Sequence, residues 1–237
     1  MTGRVWLVGA GPGDPGLITV RGLELLRECD AVVYDRLVAT ELVDEAPADA
    51  IRIGREPLEQ EEINRMLVRL ARRGLDIVRL KGGDPFLFGR GGEEALALVE
   101  AGVPFEVVPG VSSLAAVPAS AGIPVTHRGI ASQVTIVNGH GPLDFAFLAA
   151  APGTLVLFMG LGRLEELADG LIEHGRAPST PAAVIASGTL PDQRVVVAPL
   201  DRIAEAAEDL APPALVVVGD VVSLGHVLNS GLTAVAA

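Results

Sequence analysis

The sequence predicts an α/β protein of two domains, the first built on a mostly parallel sheet and the second on a mixed one. Three observations predict it. In the first half, short apolar runs alternate with stretches of helical period. In the second half, Ala183–Ala186 and Arg194–Ala198 flank Gly188-Thr189-Leu190-Pro191-Asp192 and read as an antiparallel pair joined by a longer loop. Between the halves, Ala121-Gly122-Ile123-Pro124-Val125-Thr126 carries two breakers. The expected domains are residues 1–120 and 121–237.

Taken in order, Val5–Val8 reads as a strand, followed by a Gly/Pro loop and a helix over about Thr19 to Cys29. Ala31–Tyr34 is the next strand. Ile63, Met66, Leu67 and Leu70 recur at i, i+3, i+4 and i+7, which puts one apolar face on a helix that Gly74 ends. Ile77–Leu80 is a strand running into Lys81-Gly82-Gly83-Asp84-Pro85. A helix over about Gly92 to Ala101 follows, then a strand at Phe105–Val108 and a short helix near Ser113–Ser120. Beyond the breakers, Val134–Val137 and Leu155–Phe158 read as strands. Leu164, Leu167, Ala168 and Leu171 form another helical stripe, and Leu215–Val218 is the last strand. Repeated βαβ units imply right-handed crossovers.

Composition narrows the function classes. Of 237 residues, 49% are hydrophobic, 20% charged and 3% aromatic, so the core is built from Val, Leu, Ile and Ala. Aliphatic strands of that kind suit a sheet covered on both faces. The net charge of −12 disfavours a general nucleic-acid binder, because such a surface repels phosphates at long range. Lys81 is the only lysine among 18 basic residues, and the arginine forks suit carboxylates. Cys29 is the single cysteine, a small core residue, which leaves no intrachain disulfide and no cysteine-based metal site; no metal is expected. No apolar run approaches the ~18 residues of a membrane span, and the N-terminus carries no leader pattern. A cytoplasmic protein without membrane contact is expected.

Two glycine-rich loops carry the chemistry. Gly9-Ala10-Gly11-Pro12-Gly13-Asp14-Pro15-Gly16 follows the first strand and, read from Gly11, spells G-x-G-x-x-G. Asp35 closes the second strand about where a ribose-binding acid of a dinucleotide fold would sit. Against that reading, Pro12 and Pro15 lack the N–H donors a pyrophosphate needs, and the helix starts too late for Gly16 to pack it on the strand. The run from Lys81 to Glu94 is more specific. It holds five glycines in fourteen residues and opens a helix with two acids, Glu93 and Glu94, which suit the positive helix end.

These residues, in order, resemble the uroporphyrinogen-III C-methyltransferase branch of the tetrapyrrole methylases. The likeness rests on Gly9–Asp14, Val33-Tyr34-Asp35-Arg36-Leu37, Lys81–Glu94 and Val108-Pro109-Gly110. It continues through Gly122–Arg128, Phe158-Met159-Gly160 and Ser187-Gly188-Thr189. The resemblance implies two α/β domains of the tetrapyrrole methylase fold, with S-adenosyl-L-methionine in the cleft between them and S-adenosyl-L-homocysteine as product. Its cofactor contacts carry over to Pro12, Gly82, Gly83, Asp84, Leu87, Ser112, Ser113, Met159 and Gly188. Asp84 would attract the ammonium of the methionine moiety, and Met159 would offer a soft apolar wall.

For the substrate, the resemblance implies a carboxylate-fringed tetrapyrrole held by Arg36, Arg55, His127 and Arg128, through bidentate Arg–carboxylate pairs where geometry allows. The implied reaction methylates uroporphyrinogen III twice to precorrin-2, with Asp35 as first candidate for proton acceptor and Arg90 with Glu93 as second. A positive patch at the cleft mouth and a homodimer are expected. The sequence departs from the family pattern twice. Gly54-Arg55 stands where the family has Gly-Lys, a proposed proton donor, and arginine is not deprotonated in proteins. The stretch from Arg55 to Gln60 lacks the family's Gly- and His-bearing insert. The alternatives are a sister methylase acting on a later corrinoid precursor, a weakly catalytic binding homologue and a nicotinamide oxidoreductase.

Overall fold

In the computed structural model, which describes residues 2–229, the chain forms two compact units, Met1–Ser112 and Ser113–Ala237. The first unit has strands β1 (Val5–Gly9), β2 (Ala31–Tyr34), β3 (Ile51–Gly54), β4 (Ile77–Lys81) and β5 (Phe105–Val108). Its helices are α1 (Val20–Glu28), α2 (Thr40–Asp44), α3 (Gln60–Arg72) and α4 (Gly91–Glu100). The sheet order is β3-β2-β4-β1-β5, every neighbour parallel. Val5 pairs with Ile77 and Gly9 with Lys81, so β1 and β4 end side by side.

Side-chain alternation along the strands sorts the helices onto two faces. Val8, Val32, Val78 and Leu80 pack with Leu25 and Leu26 of α1 and Leu42 and Val43 of α2. Val5, Leu7, Ala31, Val33 and Ile77 pack with Ile63, Leu67 and Leu70 of α3 and Ala95 and Leu98 of α4. The crossovers from β1 and β2 therefore cover one face and those from β3 and β4 the other. The strand order reverses between β1 and β4, and ligands of open α/β sheets bind outside the carboxyl ends at such a point.

The second unit opens with α5 (Ser113–Ser120) and contains β6 (Val134–Asn138), α6 (Phe145–Ala150), β7 (Thr154–Phe158) and α7 (Leu164–Glu173). It continues with β8 (Pro181–Ala186), β9 (Arg194–Pro199), α8 (Ile203–Ala206), β10 (Ala214–Val218) and α9 (Val222–Asn229). The sheet order is β6-β7-β10-β8-β9, with β6 and β7 parallel and the other neighbours antiparallel. Because β10 runs against both β7 and β8, strands β6, β7 and β8 point the same way and end on one edge. Helix α5 belongs to this unit, since its Val117 lies in the same apolar cluster as Val156, Ala183 and Val217.

The strand and helix positions read from periodicity are present, shifted by a few residues at most. Strand β3 and helices α2, α6, α8 and α9 come in addition to the expected elements. Strand β3 is an edge strand with Ile51 and Arg52 exposed, too short and too open to imprint an apolar run. Helices α2, α6 and α8 span only five, six and four residues, less than two turns of pattern.

Candidate active site

In the first unit, the loops after β1 and β4 are stitched together. Ala10 N–H donates to Lys81 O at 2.7 Å, Gly83 N–H to Gly11 O at 2.7 Å, and Gly11 N–H to Gly83 O at 3.3 Å. The loop after β5 joins them through three glycines. A Cβ on Gly9 would stand 2.4 Å from Gly110 Cα, and one on Gly110 would stand 2.2 Å from Gly83 O. Much of the glycine content thus serves main chain packed on main chain within the unit. Gly82 differs: a Cβ there would meet only Leu37 Cβ, at 3.7 Å, so its backbone faces open space.

Asp84 ties the β4 loop to the β5 loop. Its Oδ1 accepts from Phe86 N–H at 2.8 Å and its Oδ2 from Gly110 N–H at 3.1 Å, each oxygen keeping a further lone pair. Beyond it, Gly91 N–H donates to Pro85 O at 3.0 Å and closes a tight loop. This loop leaves Phe86 and Phe88 exposed, with Leu37 also exposed on the β2 loop. In a chain with 3% aromatics, two of them stand exposed on this one loop. Of this loop, the family resemblance singles out Leu87 and not Phe86 or Phe88.

Asp35 follows β2, and its N–H donates to Leu80 O at 3.2 Å. Arg79 Nη2 donates to Asp35 Oδ1, while Arg55 Nη1 lies 3.9 Å from Oδ1 and Lys81 Nζ lies 3.8 Å from Oδ2. The Asp35 side chain is 18% exposed, whereas that of Arg79 is 0% exposed. Beneath them, Glu94 is wholly buried, and its Oε1 accepts from Arg79, Lys81 and Gln60. Glu94 is therefore more than the helix-start charge that its position suggests. Burial first, and the neighbouring Arg79 second, hold the Lys81 amine below the usual lysine range.

The arginines expected to greet a polycarboxylate already face acids. Arg36 Nε pairs with Glu56 at 3.1 Å, and Arg90 binds Glu93 through two bonds of 2.9 and 2.8 Å. The Arg90 bonds hold the Glu93 carboxyl below its ordinary range, and Glu93 holds Arg90 above its own. The first unit therefore shows charge pairs where free cations were anticipated, as a chain with excess acid dictates. Arg55 sits at the start of a short connection that ends in the α3 capping box formed by Glu59 and Glu62. Pro12 lies in the β1 loop and Leu87 in the β4 loop.

In the second unit, Met159 follows β7 and Gly188 follows β8, so both lie at the shared carboxyl edge of β6, β7 and β8. Met159, Ser187 and Thr189 have φ values of 54°, 49° and 73°, a conformation that costs a non-glycine residue of order 1 kcal/mol. Strain of that kind clusters at functional sites. A Cβ on Gly188 would strike Val117 Cγ1 at 2.5 Å. At the same edge Arg163 donates to Gly139 O at 2.8 Å and Gly141 O at 3.1 Å, pinning the loop that exposes His140. His127 and Arg128 are exposed on a turn closed by paired bonds of 2.9 Å between His127 and Ala131. Ser112 ends the first unit and Ser113 opens α5.

The dinucleotide alternative loses its donors. Gly16 N–H is taken by Asp14 Oδ1 at 2.7 Å, and Gly22 N–H by the α1 cap Thr19 Oγ1 at 3.1 Å. Among the described residues no group of three or more His, Cys, Asp or Glu can hold a metal ion. No helix among them is long and apolar enough to cross a membrane.

A family model for tetrapyrrole (corrin/porphyrin) methylases matches residues 4–204. The chain is a tetrapyrrole methylase. Among its relatives, an S-adenosyl-L-methionine-dependent uroporphyrinogen III methyltransferase of Methanosarcina barkeri is 48% identical, over 98% of this chain and 97% of that one. A siroheme synthase of Sodalis glossinidius is 48% identical over 96% of this chain, and this methylase spans about half, 50%, of its length. A crystal structure of uroporphyrin-III C-methyl transferase from Thermus thermophilus, complexed with S-adenyl homocysteine, matches with a TM-score of 0.84 and 45% identity. That match covers 94% of this methylase and 100% of the other chain. In the first unit the motifs at Gly9–Asp14, Asp35 and Lys81–Glu94 follow the carboxyl ends of β1, β2 and β4, and in the second Met159 and Gly188 follow those of β7 and β8.

Proposed function

We propose that the chain is a uroporphyrinogen III C-methyltransferase that uses S-adenosyl-L-methionine and carries the reaction twice to precorrin-2. The observation that carries this reading is the end-to-end likeness to the Methanosarcina barkeri methyltransferase, over 98% of this chain and 97% of that one. Further support comes from an open Gly82 backbone after β4, exposed Phe86, Phe88 and Leu37, and Asp35 after β2, the strand next to β4.

These residues fit the donor. Gly82, Gly83, Leu87 and Pro12 supply main chain and apolar surface for an adenosyl group, and Asp84 keeps lone pairs for an ammonium. Ser112, Ser113, Met159 and Gly188 complete the proposed contact set. Bound S-adenosyl-L-methionine supplies a methyl group on a positively charged sulfur, which the ring carbon takes as the donor becomes a neutral thioether. The chain's task is alignment and exclusion of water.

Asp35 is the proposed proton acceptor. Its Oδ1 is occupied by Arg79, and Oδ2, with Lys81 Nζ 3.8 Å away, keeps lone pairs for the proton. The C–H bond of the methylated macrocycle breaks, its electron pair restores conjugation, and the proton passes to Oδ2. The Arg90–Glu93 pair is the second candidate, with Glu93 a weaker base while Arg90 holds it. Arg128 and His127 are the proposed anchors for substrate carboxylates, joined by Arg36 and Arg55 if their acidic partners give way. A homodimer in the cytoplasm completes the reading, supported by exposed Val195 and Val197 on edge strand β9 and Val227 on α9.

Anaerobic incubation of the chain with S-adenosyl-L-methionine and uroporphyrinogen III tests the reaction. Dimethylated product by mass spectrometry is expected. Absence of any methylated tetrapyrrole, with S-adenosylhomocysteine still bound, would point to the binding homologue instead.

A further inference from the structure

Beneath Asp35 lies a charge cluster for which methyl transfer alone has no task. Arg79 and Lys81 alternate along β4, and both side chains leave the sheet on the α3/α4 face. There one oxygen, Glu94 Oε1, accepts from Arg79 Nε at 3.0 Å, Lys81 Nζ at 3.0 Å and Gln60 Nε2 at 3.1 Å. Arg79 reaches on to Asp35 Oδ1 and to the carbonyls of Val33 and Leu80, both at 3.3 Å. Lys81 faces Asp35 Oδ2. Each oxygen of Asp35 is therefore addressed by a cation, and both cations are tied to the same buried carboxylate.

Stability does not account for this arrangement, since well-packed apolar residues of similar volume serve a core as well as buried ion pairs or better. Composition adds an independent observation. Of 18 basic residues, 17 are arginine, and the single lysine stands here with no exposure at all. Lysine offers a compact ammonium that fits between two carboxylate oxygens and can give up a proton; arginine brings a planar fork and keeps its charge.

We propose that Lys81, anchored by Glu94, is a positioning residue for Asp35: it fixes the carboxylate at the sheet edge and couples its charge to a buried amine. This rests on the reading of Asp35 as proton acceptor. The charged groups facing Lys81 are Arg79 on its own strand, Asp35 after β2 and Glu94 on α4, with Arg55 behind Asp35. Its amine is already held below the ordinary lysine range, by burial first and Arg79 second.

Because the chain has one lysine, labelling lysine with ¹³C at Cε gives one side-chain signal to titrate in the 237-residue chain with S-adenosylhomocysteine added. The wild-type midpoint is expected below about 10.4 and lower still, by about half a unit or more, in Asp35→Asn and Glu94→Gln, since each removes a negative neighbour. Lys81→Met is expected to lower kcat about tenfold or more while both KM values stay within about threefold, the pattern of a lost transition-state contribution. Lys81→Arg, which restores charge without the compact shape or a titratable proton, is not expected to rescue it.

A midpoint unmoved by Asp35→Asn overturns the coupling, and an unchanged kcat in Lys81→Met overturns the positioning. Should Lys81→Met fail to fold, near-isosteric Glu94→Gln supplies the kcat reading, with the same expectation and the same overturning result. If the wild type makes no methylated product, the function reading fails, while the titration still decides the coupling.

Discussion

Gly110 has no room for a side chain. With its Cβ position 2.2 Å from the Gly83 carbonyl oxygen and 2.7 Å from Gly9 Cα, Gly110→Ala must push two backbones apart. Overpacking costs about 1–3 kcal/mol, so urea unfolding of that variant should show a loss in this range or above. Arg128 offers the opposite case, an exposed cation on a rigid turn. Arg128→Ala should raise the substrate KM about tenfold and leave the S-adenosylhomocysteine Kd unchanged, measured by steady-state kinetics and calorimetry. At Cys29, burial pushes the thiol from an ordinary 9.0 up to about 11. The folded state therefore keeps the proton longer than the unfolded chain. The resulting contribution is present in full below pH 9 and lost as pH rises toward 11, a decline that Cys29→Ala should abolish in pH-dependent denaturation. At this scale the sequence displayed Gly9, Gly83 and Gly110 but not their purpose, since a glycine spared for a ligand and one spared for another strand look alike. Glu94 looked like a helix-start acid for the same reason: its partners Arg79 and Lys81 are 15 and 13 residues away and on a different element.

Among the elements, the helices carry their limits in local chemistry. Thr19 caps α1 by accepting from Gly22 N–H at 3.1 Å, and Glu59 and Glu62 form the α3 capping box. Thr19→Ala should cost about 1 kcal/mol in equilibrium unfolding without changing S-adenosylhomocysteine affinity. A larger loss, or a loss of binding, would mean that the cap also orders the β1 loop. Legibility followed length and burial. The long amphipathic α3 and the all-buried β4 announced themselves through apolar spacing, whereas exposed β3 and one-turn helices such as α8 did not. The antiparallel pairing of β8 and β9 was readable because a short loop of turn-forming Gly, Pro and Asp between two apolar runs favours a hairpin-like return.

On the scale of the molecule, two sheets of different plan place Asp35, Gly82, Met159 and Gly188 after strand carboxyl ends. A ligand that binds only the folded chain raises its stability by about 2.7 kcal/mol at a hundredfold excess over Kd. S-adenosylhomocysteine at that level should raise Tm by about 5–10 °C in scanning calorimetry, and nicotinamide dinucleotide should leave it unmoved. A shift with the dinucleotide alone would revive the discarded alternative.

What the sequence determined by itself was the alternation of the longer and better-buried strands and helices, the glycine loops after β1 and β4, and the family. These are local: spacing, breakers and motif order are properties of neighbours along the chain. What only the tertiary structure decided was which charges meet. The reach of Arg79 and Lys81 from β4 to Asp35 and Glu94, and the pairing of Arg36 and Arg90 with acids, depend on sheet order and on which face each helix covers. A charge has no period along the chain; its partner is chosen in space, by the desolvation that burial imposes and the nearest opposite charge that relieves it.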